Sequence, residues 1–134
     1  MLKLFSKYKY IFYLSNFFLI FYYLYPNSIF GCIFYNDCKL QPKLISDLIF
    51  RDFKVSFNHL IALSSLSLIG YLTYRKNKNL KKLFVYLVFL SIFLETMHYF
   101  IPERSFEFPD LFGNLIGVII MIVFSYLFKK YEDS

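Results

Sequence analysis

From Tyr10 to Asn36 no charged side chain interrupts the chain, and the same holds from Val55 to Tyr74 and from Leu111 to Phe128. A further run, Leu83 to Ile101, carries only Glu95 and His98 near its end. A helix crosses a bilayer with about 20 mostly apolar residues, so each run is long enough to span. The expectation is all-α: an integral membrane bundle of four transmembrane helices with short loops, spanning about 10–29, 55–74, 83–101 and 111–128, the first ending by Pro26. The intervening segments are too short for a soluble domain and no internal repeat is present, so residues 1–134 form one unit. A hydrophobic content of 58% and a mean hydropathy of +0.50 agree with membrane as the solvent. The 19 Phe and 13 Tyr also fit an AT-rich coding sequence and carry no functional weight.

The net charge of +6 flanks the apolar runs instead of forming one basic patch, which argues for topology and against nucleic acid as a partner. Lys3, Lys7, Lys9, Arg75, Lys76, Lys78, Lys81, Lys82, Lys129 and Lys130 make ten cations on one side, against Lys39, Lys43, Arg51, Lys54 and Arg104 on the other. The positive-inside rule then makes both termini cytoplasmic in a multi-pass protein of the cytoplasmic (inner) membrane. A competing reading takes the N-terminus as a cleaved signal ending at IFGC, residues 29–32, but Phe30 is bulky where a small residue is usual. Cys32 and Cys38 share the first outward loop, where they close a small disulfide ring or remain two thiols; spacing alone leaves both open. No Gly-rich phosphate loop, GxSxG or HExxH occurs.

Between the last two runs lies ETMHYFIPERSFEFPDLFGNLIG, residues 95–117, a concentration of polar groups in a greasy chain. Glu95 and His98 are three apart and share a helix face, and Pro102 favours ending that helix. Pro109 and Asp110 open the last span, with Asp110 expected as its N-cap. Asp110, Asn114 and Gly117 follow at intervals of four and three on one face. Gly113 and Gly117 form a small-xxx-small pair, expected to bring the last span against the third.

These residues resemble the VanZ-like family of small bacterial membrane proteins, named from a glycopeptide-resistance cluster. Its signature is a Glu, a Gln three later, Pro, Arg, then Asp, Asn and Gly at fixed steps; Glu95, Pro102, Arg104, Asp110, Asn114 and Gly117 fill these places. His98 stands where Gln is usual, and the match is strongest over residues 80–134. Family members often carry Asp-Lys and, three residues after the Lys, a His. Here Val55 and Ser56 stand before His59, with Asp52 and Lys54 nearby, so whether Lys54 and His59 join the site stays open. The resemblance implies a fold and a site more readily than a reaction.

Glu95, His98, Arg104, Asp110 and Asn114 are the candidate ligand-binding residues, on the outer side of the membrane. The plainer alternative is an ion pair of Glu95 with Arg104 that pins the outer hairpin. Glu95, His98 and Asp110 as metal ligands are a weaker possibility, so neither metal nor cofactor is expected. No residue is assigned a catalytic role. Two functions survive: an accessory protein of the cell envelope that recognises a lipid head group, cell-wall precursor or glycopeptide, and a membrane-embedded enzyme acting on a lipid-linked substrate. Oligomeric state is not legible.

Overall fold

The computed structural model describes residues 2–43, 46–50, 52–76 and 79–132; Arg51 and Lys78, counted above for topology, lie outside the described residues. Five helices dominate: α1 (Leu2–Leu24), α2 (Ile29–Tyr35), α3 (Phe57–Tyr74), α4 (Leu80–Met97) and α5 (Phe108–Glu132). The helical expectation holds, with one addition. The segment before the second span, expected as loop, and Val55, expected to open that span, instead supply an antiparallel hairpin of β1 (Leu48–Phe50) and β2 (Phe53–Val55), with Leu48 opposite Val55 and Phe50 opposite Phe53. Phe53 stacks on Phe112 with ring centroids 4.2 Å apart, which fastens the hairpin to α5.

Pro26 falls just after α1, where the residue before a proline is steered away from helical backbone. The chain bends by 81° there before α2 begins. Ser28 caps α2 by accepting the Gly31 N–H on its hydroxyl (3.0 Å), and Asn36 closes it in the left-handed conformation. Cys32 and Cys38 are joined as a disulfide across this turn.

The core follows helical spacing. Leu83, Leu87, Leu90 and Leu94 recur at four, three and four, so they form one buried stripe on α4. That stripe packs with Phe12 and Tyr23 of α1, Leu63 and Leu66 of α3 and Val118 of α5. Tyr23 of α1 lies near His59 at the start of α3 and His98 at the end of α4, whereas Tyr13 lies near Tyr74 at the end of α3. The four long helices therefore alternate in direction, and α3 and α5 run parallel, both starting at the same end.

Gly113 and Gly117 do bring helices together, but the helix they admit is α3 and not α4. A Cβ on Gly117 would lie 2.6 Å from the Leu60 carbonyl oxygen and 3.0 Å from the Ser64 nitrogen, and one on Gly113 would run into Ser56 and His59. Parallel packing of α3 on α5 is the reason: the two helix starts are tied by the Ser56 N–H donating to the Pro109 carbonyl (2.9 Å).

By length and apolarity alone, Phe108–Lys129 is long and apolar enough to cross a membrane, and Tyr8–Leu24 with Ile29–Tyr35 reaches that standard only when taken together. Polar Asn58, His59 and several serines dilute α3, and α4 contains Lys81, Lys82 and Glu95.

Candidate functional site

The site assembles where the starts of α3 and α5 meet the ends of α1 and α4. Leu90 and Leu94 place Glu95 and His98 inward in the last turn of α4, so Glu95 is 0% exposed and His98 2%. The carboxylate of Glu95 accepts the Glu107 N–H on Oε1 (2.9 Å), and the same oxygen lies 3.4 Å from His98 Nδ1. His98 turns its other nitrogen, Nε2, to the Tyr23 carbonyl at 3.1 Å; the carbonyl can only accept, so Nε2 carries a proton. A proton on Nδ1 as well makes the contact with Glu95 an ion pair.

On α5, Glu107 precedes the helix and Asp110 lies in its first turn, so Asp110 is not the N-cap. Its place one turn inward still sets its charge at the positive end of the α5 dipole. Asp110 Oδ2 is 3.3 Å from His59 Nε2, and Ser56, whose side chain makes no cap bond to its own helix, bonds the Asp110 carboxylate. One turn on, Asn114 is 0% exposed and its Oδ1 accepts the Tyr23 hydroxyl proton at 2.7 Å. The same hydroxyl oxygen is 3.1 Å from His59 Nδ1. Tyr23 thus joins α1 to α3, α4 and α5 at one point.

Four of the five residues anticipated as ligand-binding are brought together: Glu95, His98, Asp110 and Asn114. Arg104 lies apart from Glu95 and faces the end of α1. Its Nε donates to the Tyr25 carbonyl (3.2 Å) and Nη2 to those of Asn27 (3.3 Å) and Tyr22 (3.5 Å). The last carbonyls of a helix lack intrahelical partners, so a guanidinium fork there satisfies groups that burial would otherwise leave unpaired. Among the described residues, the ion-pair partners of Glu95 and Asp110 are His98 and His59.

His59 is in the site; Lys54 is on β2 and exposed, and does not reach it. Tyr23 was missed by sequence reasoning because nothing local marks one tyrosine among 13. The three groups able to converge on an ion are His59, Glu95 and Asp110, with one ligand atom of each within 4.8 Å of the others, and not the set containing His98. Two atoms in this cluster are buried with no hydrogen-bond partner: Glu95 Oε2 and Asn114 Nδ2.

Comparison with curated proteins and with solved structures returned no match. The sequence model of one family, VanZ/LLP1, matches residues 3–129. With nearly the whole length covered, the match reaches beyond the Glu95–Gly117 signature to the α1 and α3 segments that supply Tyr23 and His59, and the chain belongs to the VanZ/LLP1 family.

Proposed function

We propose that the chain is a four-span protein of the cytoplasmic membrane, both termini inside, serving the cell envelope as a non-enzymatic accessory protein. Its outward-facing polar site recognises a charged group of an envelope component: a lipid head group, a cell-wall precursor or a glycopeptide. Glu95, His98, Asp110 and Asn114 line this site, with Arg104 at its rim.

The membrane part of the reading is supported by what the helices leave uncovered. Phe17, Phe18 and Phe21 on α1, Val85, Phe89 and Ile92 on α4, and Ile119, Val123 and Leu127 on α5 are all exposed. A continuous apolar exterior of this kind belongs in hydrocarbon. The charges of α4 do not contradict it, since Lys81 and Lys82 occupy its first turn and Glu95 is fully buried. A cytoplasm-active reporter should therefore work after Ser134 or within residues 76–80 and fail at Gln41 or Phe106; activity at Phe106 overturns the orientation.

The observation that carries the binding reading is the pair of unmet groups, Glu95 Oε2 and Asn114 Nδ2. An unmade bond at a buried polar atom costs about 1–3 kcal/mol, more for a charged one, and a chain that needed only to pack would fill both places with apolar groups. A ligand that supplies a positive or hydrogen-donating group and an acceptor meets both.

A second reading, an enzyme acting on a lipid-linked substrate, is favoured by one feature: the carboxylate–imidazole–hydroxyl chain Asp110–His59–Tyr23, at 3.3 and 3.1 Å. Such a chain holds an imidazole in one tautomer and moves protons. Lipidomics and cell-wall analysis of a deletion strain decide between the two. A lost phenotype with unchanged precursor pools supports binding, and an accumulated precursor that wild-type protein clears supports catalysis.

A further inference from the structure

The proton count around His59 leaves a gap. A tyrosine hydroxyl has one proton, and Tyr23 gives it to Asn114 Oδ1. The contact with His59 Nδ1 is then an N–H donating to the Tyr23 oxygen. In the neutral imidazole this leaves a lone pair on Nε2, facing a second acceptor, Asp110 Oδ2, at 3.3 Å. A second proton on His59 would relieve that contact and would still do nothing for Glu95.

Glu95 is the harder case. Its Oε1 accepts the Glu107 N–H, but Oε2 has no partner on a side chain that is 0% exposed. It also sits in the last turn of α4, the negative end of that helix's dipole. Arg104 is committed to the carbonyls of Tyr22, Tyr25 and Asn27. One ligand atom each of His59, Glu95 and Asp110, from three helices, lies within 4.8 Å of the other two, and two of the three are carboxylate oxygens.

We propose that His59 Nε2, Glu95 Oε2 and Asp110 Oδ2 bind a divalent cation, of the borderline Zn2+ or Mn2+ type, between α3, α4 and α5. One imidazole nitrogen with two carboxylate oxygens suits such ions, and a 2+ charge balances the two carboxylates. Bonds of about 2.0–2.2 Å set ligand atoms roughly 3–4 Å apart, so small rotamer adjustments close the 4.8 Å spread. Tyr23 is the outer partner that fixes the His59 tautomer, as metal-bound histidines require of their second nitrogen. Asn114, in touch with both Tyr23 and His59, adds a second buried atom without a partner, Nδ2, which is not one of the three ligand atoms. It is suited to donate to an oxygen held on the ion. Three protein ligands leave positions open for a phosphate or carboxylate, so the cation is the group that recognises the envelope ligand. This deepens the reading of the outer end as a ligand site and rests on it.

The test uses full-length protein purified in detergent, stripped with EDTA, and dialysed against Zn2+ or Mn2+. Bound metal is measured by mass spectrometry and thermal unfolding is followed with and without the ion. Wild type should hold one equivalent per chain and melt higher with metal. Asp110→Asn and Glu95→Gln should each weaken binding by more than the roughly 10–100-fold that loss of an outer partner costs. Glu103→Gln, at an exposed loop residue, should bind as wild type. Folded wild type with neither bound metal nor a metal-dependent melting shift overturns the site, and so does equal binding by a folded Asp110→Asn. Should both carboxylate variants fail to fold, the wild-type titration decides alone. The broader binding reading falls separately, on whether Glu95→Gln supports growth in the deletion strain, which no metal measurement touches.

Discussion

The two ends of this bundle use the same side chains to opposite effect. At one end, Tyr23, His59, Glu95, His98, Asp110 and Asn114 close on one another around one fully buried carboxyl, Glu95, and one partly buried, Asp110. At the other, Tyr13 meets Tyr74 at 3.3 Å and Asn16 Nδ2 donates to Tyr86 at 2.6 Å, beside a cavity of about 500 Å³. Asn16 Oδ1 is also buried without a partner, but it belongs to a neutral amide, whose unmet bond costs less than that of a carboxylate. Neutral groups next to an open space are a cheap way to join helices. A carboxylate sealed among leucines is not, which is why the function proposed above is placed at that end and not beside the cavity.

The strongest way to break that comparison is to neutralise one charge. Glu95→Gln keeps the shape of the side chain and removes its charge, so complementation of a deletion strain should be lost. In metal-free protein the melting temperature should stay level, because the amide oxygen can still accept the Glu107 N–H and an unmet buried charge is removed. Tyr86→Phe at the other end removes one hydrogen bond, worth about 1 kcal/mol, and should leave complementation intact. A functional Glu95→Gln, or a null Tyr86→Phe at normal membrane level, reverses the assignment of roles.

Glycines sharpen the contrast at the level of packing. A Cβ at Gly117 would meet backbone, the Leu60 carbonyl at 2.6 Å, whereas one at Gly70 would meet only side-chain ends, Leu83 Cδ2 and Phe12 Cε2, both at 3.0 Å. Backbone of a packed helix cannot step aside, and methyl and ring edges can. Gly117→Ala should cost on the order of 1–3 kcal/mol, as overpacking does. Gly70→Ala should stay within about 1 kcal/mol of wild type, since helix propensity gains nearly what crowding loses. Thermal unfolding of both in detergent, with Ile119→Leu as the exposed control, reads the difference, and matching melting points for the two alanines would refute it.

The same contrast explains what was legible in the sequence. Glu95 with His98, and Asp110 with Asn114, are set by helical steps of three and four, so their shared faces could be read directly. What the faces meet could not. Tyr23 is 36 residues from His59 and 91 from Asn114, and His59 has no helical neighbour that marks it. Gly117 announced a close crossing but not its partner, because a small residue admits whichever helix the topology brings, here the parallel α3. Arg104 was the charge most open to misreading. Its acceptors are backbone carbonyls, and only Pro26, which ends α1 and exposes them, hinted at where they would be.

Arg104 gives a smaller effect that separates pinning from ligand binding. Lysine carries the charge but lacks the planar fork, so it can reach only part of the set formed by Tyr22, Tyr25 and Asn27. Arg104→Lys should lose about 1–2 kcal/mol at roughly 1 kcal/mol per hydrogen bond, visible as a lower melting temperature. If Arg104 acts mainly through α1, complementation should recover at a lower growth temperature. Persistent loss of function at that temperature, with normal membrane levels, would make Arg104 a ligand contact as well.

The smallest effect belongs to an ion pair outside that cluster, one whose cation stays in water. Lys43 and Asp47 lie in the loop before β1 at 2.6 Å, with the lysine side chain 61% exposed. The hydrogen bond that Lys43 donates to the Asp47 carboxylate outweighs the opposing effect of burial and holds the ammonium above its usual pKa of 10.5. A raised lysine contributes its stability in full below the unfolded pKa and loses it as pH rises through the folded one, so the pair is fully formed at neutral pH. Exposed pairs are screened by salt and worth a few tenths of a kcal/mol, so Asp47→Asn should leave the melting temperature at pH 7 within error and complementation unchanged. What small difference there is should shrink further only above pH 10.5, as pH rises through the raised folded value and wild type too loses the lysine charge. A marked loss of function in Asp47→Asn would mean that charge at this end matters outside the cluster as well: the Asp47 side chain, 13% exposed, is no more open than that of Asp110 at 18%, so membership of the cluster would no longer be what distinguishes Glu95 and Asp110.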